Sequence, residues 1–225
     1  MGRFQSFFHS SIGKKVIMAV TGVVLFGFVV GHMIGNLKFY QGPDKINAYA
    51  EGLRTMGAPV FGEGDLLWLA RLVLLGSVFL HILTAVQLAR RNSSARPLKY
   101  KATRHVQASY AARTMVWSGP ILGLFVIFHI LHLTTGAAHP SFDPENVYRN
   151  LVTGFQVWYV SVFYIVAMLS LGYHMIHGVW SLFQSLGVND TPYDRTIRQI
   201  AAVATAAVVI GNISFPVSVL LGIVS

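Results

Sequence analysis

The chain has 225 residues, 54% hydrophobic and only 11% charged, and its mean hydropathy is +0.57; a soluble domain carries roughly a quarter charged residues. It contains no cysteine, which excludes a disulfide framework, a Cys-type zinc site, a cysteine-ligated iron–sulfur cluster and thioether attachment of haem. The 17 Lys+Arg exceed the 8 Asp+Glu to give +9, yet the basic residues flank apolar runs, so the expected partner is the lipid bilayer and not nucleic acid.

The first apolar run covers about 16–37 and follows Lys14-Lys15. It is too long for a signal-peptide core and no Ala-x-Ala site follows, so it reads as a retained span. Met1-Gly2-Arg3-Phe4-Gln5-Ser6 fits the short myristoylation pattern, but one acyl chain adds little to a chain with several spans. A polar stretch over 38–65 carries the turn signals Gly42-Pro43, Gly57-Ala58-Pro59 and Gly62-Glu63-Gly64, with a short surface helix expected over 44–56. The second span, 66–89, ends at Arg90-Arg91, where the most basic stretch begins: Arg90, Arg91, Arg96, Lys99, Lys101, Arg104 and Arg113, with no acid among them. The third span is 114–136, with Pro120 expected near its start, where a proline is tolerated best. A loop holding Pro140 and Pro144 leads to the fourth span, 156–186, and a short loop to the fifth, 199–224, which Pro216 is expected to kink. The fold class is therefore all-α, a single transmembrane domain of five helices over 1–225.

Five spans place the termini on opposite sides. The N-terminus and the second and fourth loops hold 12 of the basic residues against 5 elsewhere, so the positive-inside rule puts the N-terminus in the cytoplasm and the C-terminus outside. A multi-pass protein of the cell inner membrane is expected.

Six of the nine histidines fall inside spans: His32, His81, the pair His129 and His132, and the pair His174 and His177. A lone intramembrane histidine is more often a hydrogen-bonded core residue than a ligand. Four consecutive helices that each carry one change that weighting, because ionisable groups at membrane depth mark function. His9, His105 and His139 lie at ends or in loops, where a solvated imidazole is the default. Each intramembrane histidine sits late in its span and successive spans alternate in direction. His32 with His129 or His132 should therefore lie in one layer, and His81 with His174 or His177 in another, on the order of 10 Å away. Two pairs at two depths suit two bis-histidine haems b, whose filled axial positions favour electron transfer over oxygen chemistry. Gly27, Gly31 and Gly35, and likewise Gly119 and Gly123, recur every four residues. Such spacing most often serves close helix packing, and a face for a macrocycle is the other use. Trp68, Trp117, Trp158, Tyr159 and Tyr173 read as interface belts or bundle packing. Lysines and arginines at span ends read as snorkelling, with neutralisation of haem propionates as the alternative.

The chain resembles the dihaem cytochrome b membrane-anchor subunit of succinate dehydrogenase or fumarate reductase, in the form where one five-helix chain carries both haems. The resemblance covers nearly the whole chain. It rests on Gly31-His32-Met33 followed by Asn36-Leu37, on Ala95-Arg96-Pro97, on Tyr110-Ala111-Ala112-Arg113-Thr114-Met115, and on His174-x-x-x-Gly178-x-Trp180 running to Phe183-Gln184-x-Leu186-Gly187. The resemblance implies that His32 and His129 hold a distal haem b (protohaem IX) and that His81 and His174 hold a proximal one. His132 and His177 are then neighbours of the ligands or alternative ligands, since spacing alone does not separate the members of either i,i+3 pair. It also implies an iron–sulfur subunit and a flavoprotein subunit as partners, because this chain has neither cysteines nor a dinucleotide-binding motif. Its substrate would be membrane quinone, expected to be menaquinone. The function implied is the quinone-reactive, electron-transferring subunit of a succinate:quinone oxidoreductase, in the tricarboxylic acid cycle and respiratory chain. Glu63 and Asp65 are the acids nearest to the family's quinone-site glutamate, and Gly172 stands where some fumarate reductases carry another glutamate. The basic stretch 90–113 is expected to dock the iron–sulfur subunit through Arg96, Lys99 and Lys101, in a salt-sensitive way.

Two rivals stand beside this reading. Another quinone-linked dihaem cytochrome b, of the nitrate reductase type, concentrates its haem histidines on two helices rather than four. A non-redox transporter with a histidine proton relay would be colourless and would carry acids within its spans, and no Asp or Glu lies deep in a span here.

Overall fold

The computed structural model describes residues 3–95, 110–185 and 191–225. The docking stretch with Arg96, Lys99, Lys101, Arg104 and His105 lies outside the described residues, as does Gly187. Among the described residues eight α-helices follow one another: α1 (Arg3–His9), α2 (Ser11–Asn36), α3 (Pro43–Arg54), α4 (Asp65–Ser94), α5 (Tyr110–Leu133), α6 (Val147–Gln156), α7 (Trp158–Ser185) and α8 (Thr191–Leu220), with a 3₁₀ turn over Leu37–Gln41. No strand occurs among the described residues. Helices α2, α4, α5, α7 and α8 are long and apolar enough to cross a membrane, which defines a multi-pass membrane protein.

The helix ends follow local chemistry. Ser10 caps α2 by accepting the Gly13 N–H at 2.9 Å, and Asn146 caps α6 by accepting the Arg149 N–H at 3.0 Å, each satisfying a donor that has no partner inside its helix. Helix α3 begins with Pro43 in its first turn, where the missing N–H is harmless. The apolar span of α5 begins at Thr114, as expected, but the helix is already formed at Tyr110, where the described residues resume, so Pro120 stands at least ten residues inside it. Its position near a helix start is not what the fold has. Proline at an interior position removes one ladder hydrogen bond, which is tolerated in membrane helices where neighbours satisfy the freed carbonyl.

The closely packed helix pairs are α7 with α8, α5 with α7, and α2 with α4. Lys14 of α2 is buried and donates to Gln87 Oε1 of α4, so this lysine neither snorkels nor stands free. Arg91 at the far end of α4 donates to the His9 carbonyl at 2.7 Å and ties α4 to α1. Glycines that let helices approach include Gly172 of α7, whose Cβ would come 3.0 Å from Val209 of α8, Gly211 of α8, where a Cβ would run into Met33 Sδ of α2, and Gly35 of α2, which a side chain would drive into Tyr49. A Cβ on Gly27, Gly31, Gly119 or Gly123 would meet nothing within 4 Å. The packing role expected for those four is not the one they have; of the two stripes, only Gly35 is a packing glycine.

The bundle is capped at the end opposite the N-terminus. Phe39, Ile46, Leu151, Val152 and Phe155 from the 3₁₀ turn, α3 and α6 pack with Phe125, Val160, Tyr164, Ala167, Met168, Phe215 and Val219 of the long helices into one core. Helix α6 falls where a loop was expected. Its Leu151 and Phe155, four apart on one face, are 8% and 3% exposed, so burial and the Asn146 cap form a helix too short and too polar to register as a span. Helix α4 is the opposite case. Trp68, Leu69, Leu72, Val73, Leu75 and Phe79 are all exposed, the surface that lipid covers in an apolar helix at the rim of a membrane bundle.

Candidate functional site

The intramembrane histidines meet in two pairs. The His32 ring of α2 faces the His129 ring of α5 with centroids 5.8 Å apart and planes at 87°. The His81 ring of α4 faces the His174 ring of α7 at 6.2 Å and 55°. Neither α2 with α5 nor α4 with α7 is among the closely packed pairs, so the imidazoles approach each other across gaps that the backbones leave open. Two imidazoles on opposite faces of one metal ion require centroids roughly 6.3 Å apart, given a metal–nitrogen bond of about 2.0–2.1 Å and about 1.1 Å from nitrogen to ring centre. The His81/His174 separation matches that requirement, and the His32/His129 separation falls about 0.5 Å short of it.

Register gives the depth. Thr21 of α2 reaches the His81 pair, and His32 lies eleven residues further along the same helix. Ser118 of α5 reaches His174, and His129 again lies eleven residues further. Eleven residues make three turns, returning to the same face about 16 Å along the axis. The two layers are therefore farther apart than the alternation of spans alone indicated.

Hydrogen bonds select a nitrogen on three of the four rings. Thr21 Oγ1 lies 3.1 Å from His81 Nδ1 and itself donates to the Ile17 carbonyl at 2.8 Å. With its hydrogen engaged, Thr21 accepts from His81 Nδ1–H and leaves Nε2 with its lone pair. The His81 ring lies against α2 at Gly22, where a Cβ would sit 3.6 Å from its Cε1 in ordinary van der Waals contact. Ser118 Oγ is 3.5 Å from His174 Nδ1, a long contact on the same nitrogen. His129 Nδ1 meets the Tyr164 hydroxyl at 3.2 Å. His32 differs: Asn36 Nδ2 lies 3.1 Å from its Nε2, and ligation through that nitrogen requires the amide to turn away.

The remaining histidines separate from these pairs. His132 is fully buried, with its ring 14° from parallel to Phe128 at 5.4 Å and its Nδ1 3.0 Å from the Tyr164 hydroxyl. Its Nε2 has no hydrogen-bond partner among the described residues. The His139 ring lies 4.9 Å from it. That ring is not the solvated loop imidazole expected: its Nε2 donates to the Asn150 carbonyl at 2.9 Å and its Nδ1 accepts the Ser141 N–H at 3.1 Å. Gly154 makes room for both, because a Cβ there would meet His132 Cε1 at 2.7 Å and His139 Nε2 at 3.0 Å. His177 lies against Trp180, at 6.4 Å between centroids.

The two acids suggested for a quinone site, Glu63 and Asp65, are not among the residues that line the neighbouring cavity. Asp65 accepts the Gly62 N–H at 2.9 Å and closes its own turn, and Glu63 is exposed beside it. The cavity on that side, about 250 Å³, is lined instead by Arg54, Arg71, Leu67, Leu133, Phe142 and Asn150, among others.

Thr21, Ser118 and Tyr164 were not singled out from the sequence. A signal for two of them was present, since Thr21–His32 and Ser118–His129 repeat one spacing on two helices. Tyr164 had none, because its role depends on α7 packing against α5. Among the described residues no three His, Asp or Glu side chains gather as a metal-ion site; the four ligand candidates come in twos. Comparisons with protein-family models, with curated proteins and with solved structures give no match.

Proposed function

We propose that this chain is the membrane-anchor cytochrome b of a succinate:quinone oxidoreductase, with His32 and His129 holding one haem b and His81 and His174 the other. The observation that carries the reading is the arrangement of four histidines from four helices. They form two facing pairs at or within about 0.5 Å of the separation that bis-histidine ligation needs, across helix pairs that do not close on each other. A haem bound by these histidines would supply reversible one-electron transfer rather than oxygen chemistry. The protein's part is to fix the imidazoles, which Thr21, Ser118 and Tyr164 do through Nδ1, and to surround them with apolar helices. Stacking at about 16 Å along α2 and α5 supports a relay across the membrane, between an iron–sulfur subunit at the N-terminal, cytoplasmic face and menaquinone near the other face. The lipid-facing surface of α4 and the single-chain bundle fit an anchor in the cell inner membrane.

The test is a pyridine haemochrome assay with a reduced-minus-oxidised spectrum on the purified chain. Two haems b per chain are expected. A colourless protein overturns the reading and leaves a histidine-relay transporter in its place. Co-purification with a flavoprotein and an iron–sulfur protein then separates the succinate-linked anchor from other quinone-linked cytochromes b.

A further inference from the structure

Resting on the haem reading, we propose that Tyr164 and His132 are positioning residues that set the hydrogen-bond direction at His129, so that its Nε2 is the nitrogen presented to iron. The Tyr164 oxygen lies 3.2 Å from His129 Nδ1 and 3.0 Å from His132 Nδ1. A phenol has one hydrogen, so between two imidazoles it donates to one and accepts from the other. Iron on His129 Nε2 requires the hydrogen on Nδ1, and His129 then donates to Tyr164. The Tyr164 hydrogen is left for His132 Nδ1, and His132 keeps its own hydrogen on Nε2. One tautomer choice thus fixes three groups in a row.

The surroundings hold this relay in place. Tyr164 is 6% exposed, with Phe125 and Phe155 edge-on to its ring at 5.0 Å each, so the hydroxyl cannot swing to another partner. His132 is clamped by Phe128 on one side and by His139 on the other. Its fully buried Nε2 makes no hydrogen bond among the described residues, and such a group calls for an explanation. In the tautomer above that nitrogen carries the hydrogen, so the relay holds His132 through Nδ1 and leaves one buried N–H unpaired among the described residues. The same geometry removes His132 as an iron ligand, because one nitrogen is taken by Tyr164 and the other lies against His139 and the backbone at Gly154.

An acceptor on the outer nitrogen of a ligating histidine raises ligand basicity, which favours the ferric state. Loss of that acceptor should raise the midpoint potential of the haem concerned. The experiment compares the wild-type chain with Tyr164→Phe, His132→Leu and His132→Gln. It measures haem per chain, the two midpoint potentials and the low-spin EPR spectrum. Tyr164→Phe is expected to keep two haems, to shift one potential upward with a change in one EPR component, and to leave the other haem unmoved. His132→Leu leaves the Tyr164 oxygen as acceptor but frees its hydrogen, and should produce a smaller shift in the same direction, whereas His132→Gln, whose amide oxygen can take the Tyr164 hydrogen, should stay near wild type. If Tyr164→Phe fails to fold, the Leu/Gln contrast at position 132 decides alone. Unchanged potentials and EPR with both haems present overturn the relay and leave the haem reading intact. Loss of a haem in His132→Gln makes His132 a ligand and also overturns it. A wild-type chain without haem removes the underlying reading instead.

Discussion

The two histidine pairs are built from different neighbours, although each joins two helices at nearly the same separation. Four residues before His32, His129 and His132 stand Phe28, Phe125 and Phe128, and each phenylalanine stacks on its histidine one turn later. Four residues before His81 and His174 stand Ser77 and Ser170. The His32/His129 pair is embedded in the aromatic core under the α3/α6 cap, and its outer hydrogen bond runs to a phenol. The His81/His174 pair has hydroxyls for neighbours, with Thr21 and Ser118 reaching the rings across helix boundaries. The comparison teaches that two histidine pairs of similar separation can be held by packing at one depth and by short polar side chains at another. Burial and hydrogen bonding of the ligands are the levers that tune a haem, so the two sites should respond separately to substitution.

The largest effect expected is loss of one haem of two. His81→Ala and His174→Ala should each abolish the same spectral component, and His32→Ala and His129→Ala the other, as read by redox difference spectroscopy. If His32→Ala and His81→Ala remove one common component, the two pairs are not two sites and the comparison breaks.

Overpacking the capped end comes next. In Gly154→Val the new side chain meets His132 and His139, and crowding of this kind destabilises by about 1–3 kcal/mol. Thermal unfolding in detergent should fall accordingly, with the His32/His129 component disturbed first. A variant as stable as wild type would show that this region is not close-packed.

Thr21→Val removes the acceptor at His81 Nδ1 while keeping the side-chain shape. One hydrogen bond of this type contributes about 1 kcal/mol, and the midpoint potential of the His81/His174 haem alone should rise. A shift in the other haem would mean that the two environments are coupled. The smallest effect is expected for Phe28→Leu, which keeps apolar contact but loses the stack on His32, about 0.5 kcal/mol. Haem content should be unchanged, and a measurable loss of haem would make that stack part of the site rather than a neighbour of it.

Much of this arrangement is legible in the sequence. Long apolar runs report their own solvent, because each must bury a continuous hydrophobic surface in lipid or protein, and five such runs gave the five spans. Span ends were less legible. Charged and polar turns such as Tyr110–Arg113 can continue a helix into the interface without any hydropathy signal, and that moved Pro120 from a helix start to an interior position. Helix α6 was invisible as a span because ten residues with a single buried face look like loop to a hydropathy window. Gly27 and Gly31 share their spacing with Gly35, yet only Gly35 is packed; spacing fixes a helix face but not what lies opposite it.

The sequence by itself determined the class of molecule and the histidine pairing by layer, since helix rise and alternating direction leave little freedom along the membrane normal. Only the tertiary structure decided the partners within each layer. Whether His129 or His132 faces His32 depends on how α5 is rotated, and that rotation is set by the packing of α7 and α6 around Tyr164, Phe155 and Gly154. Two residues three apart on a helix differ by about 60° in direction, which is enough to send one imidazole toward His32 and the other toward His139. That angle is invisible in a linear pattern and becomes definite only when the neighbouring side chains fill the space on one side.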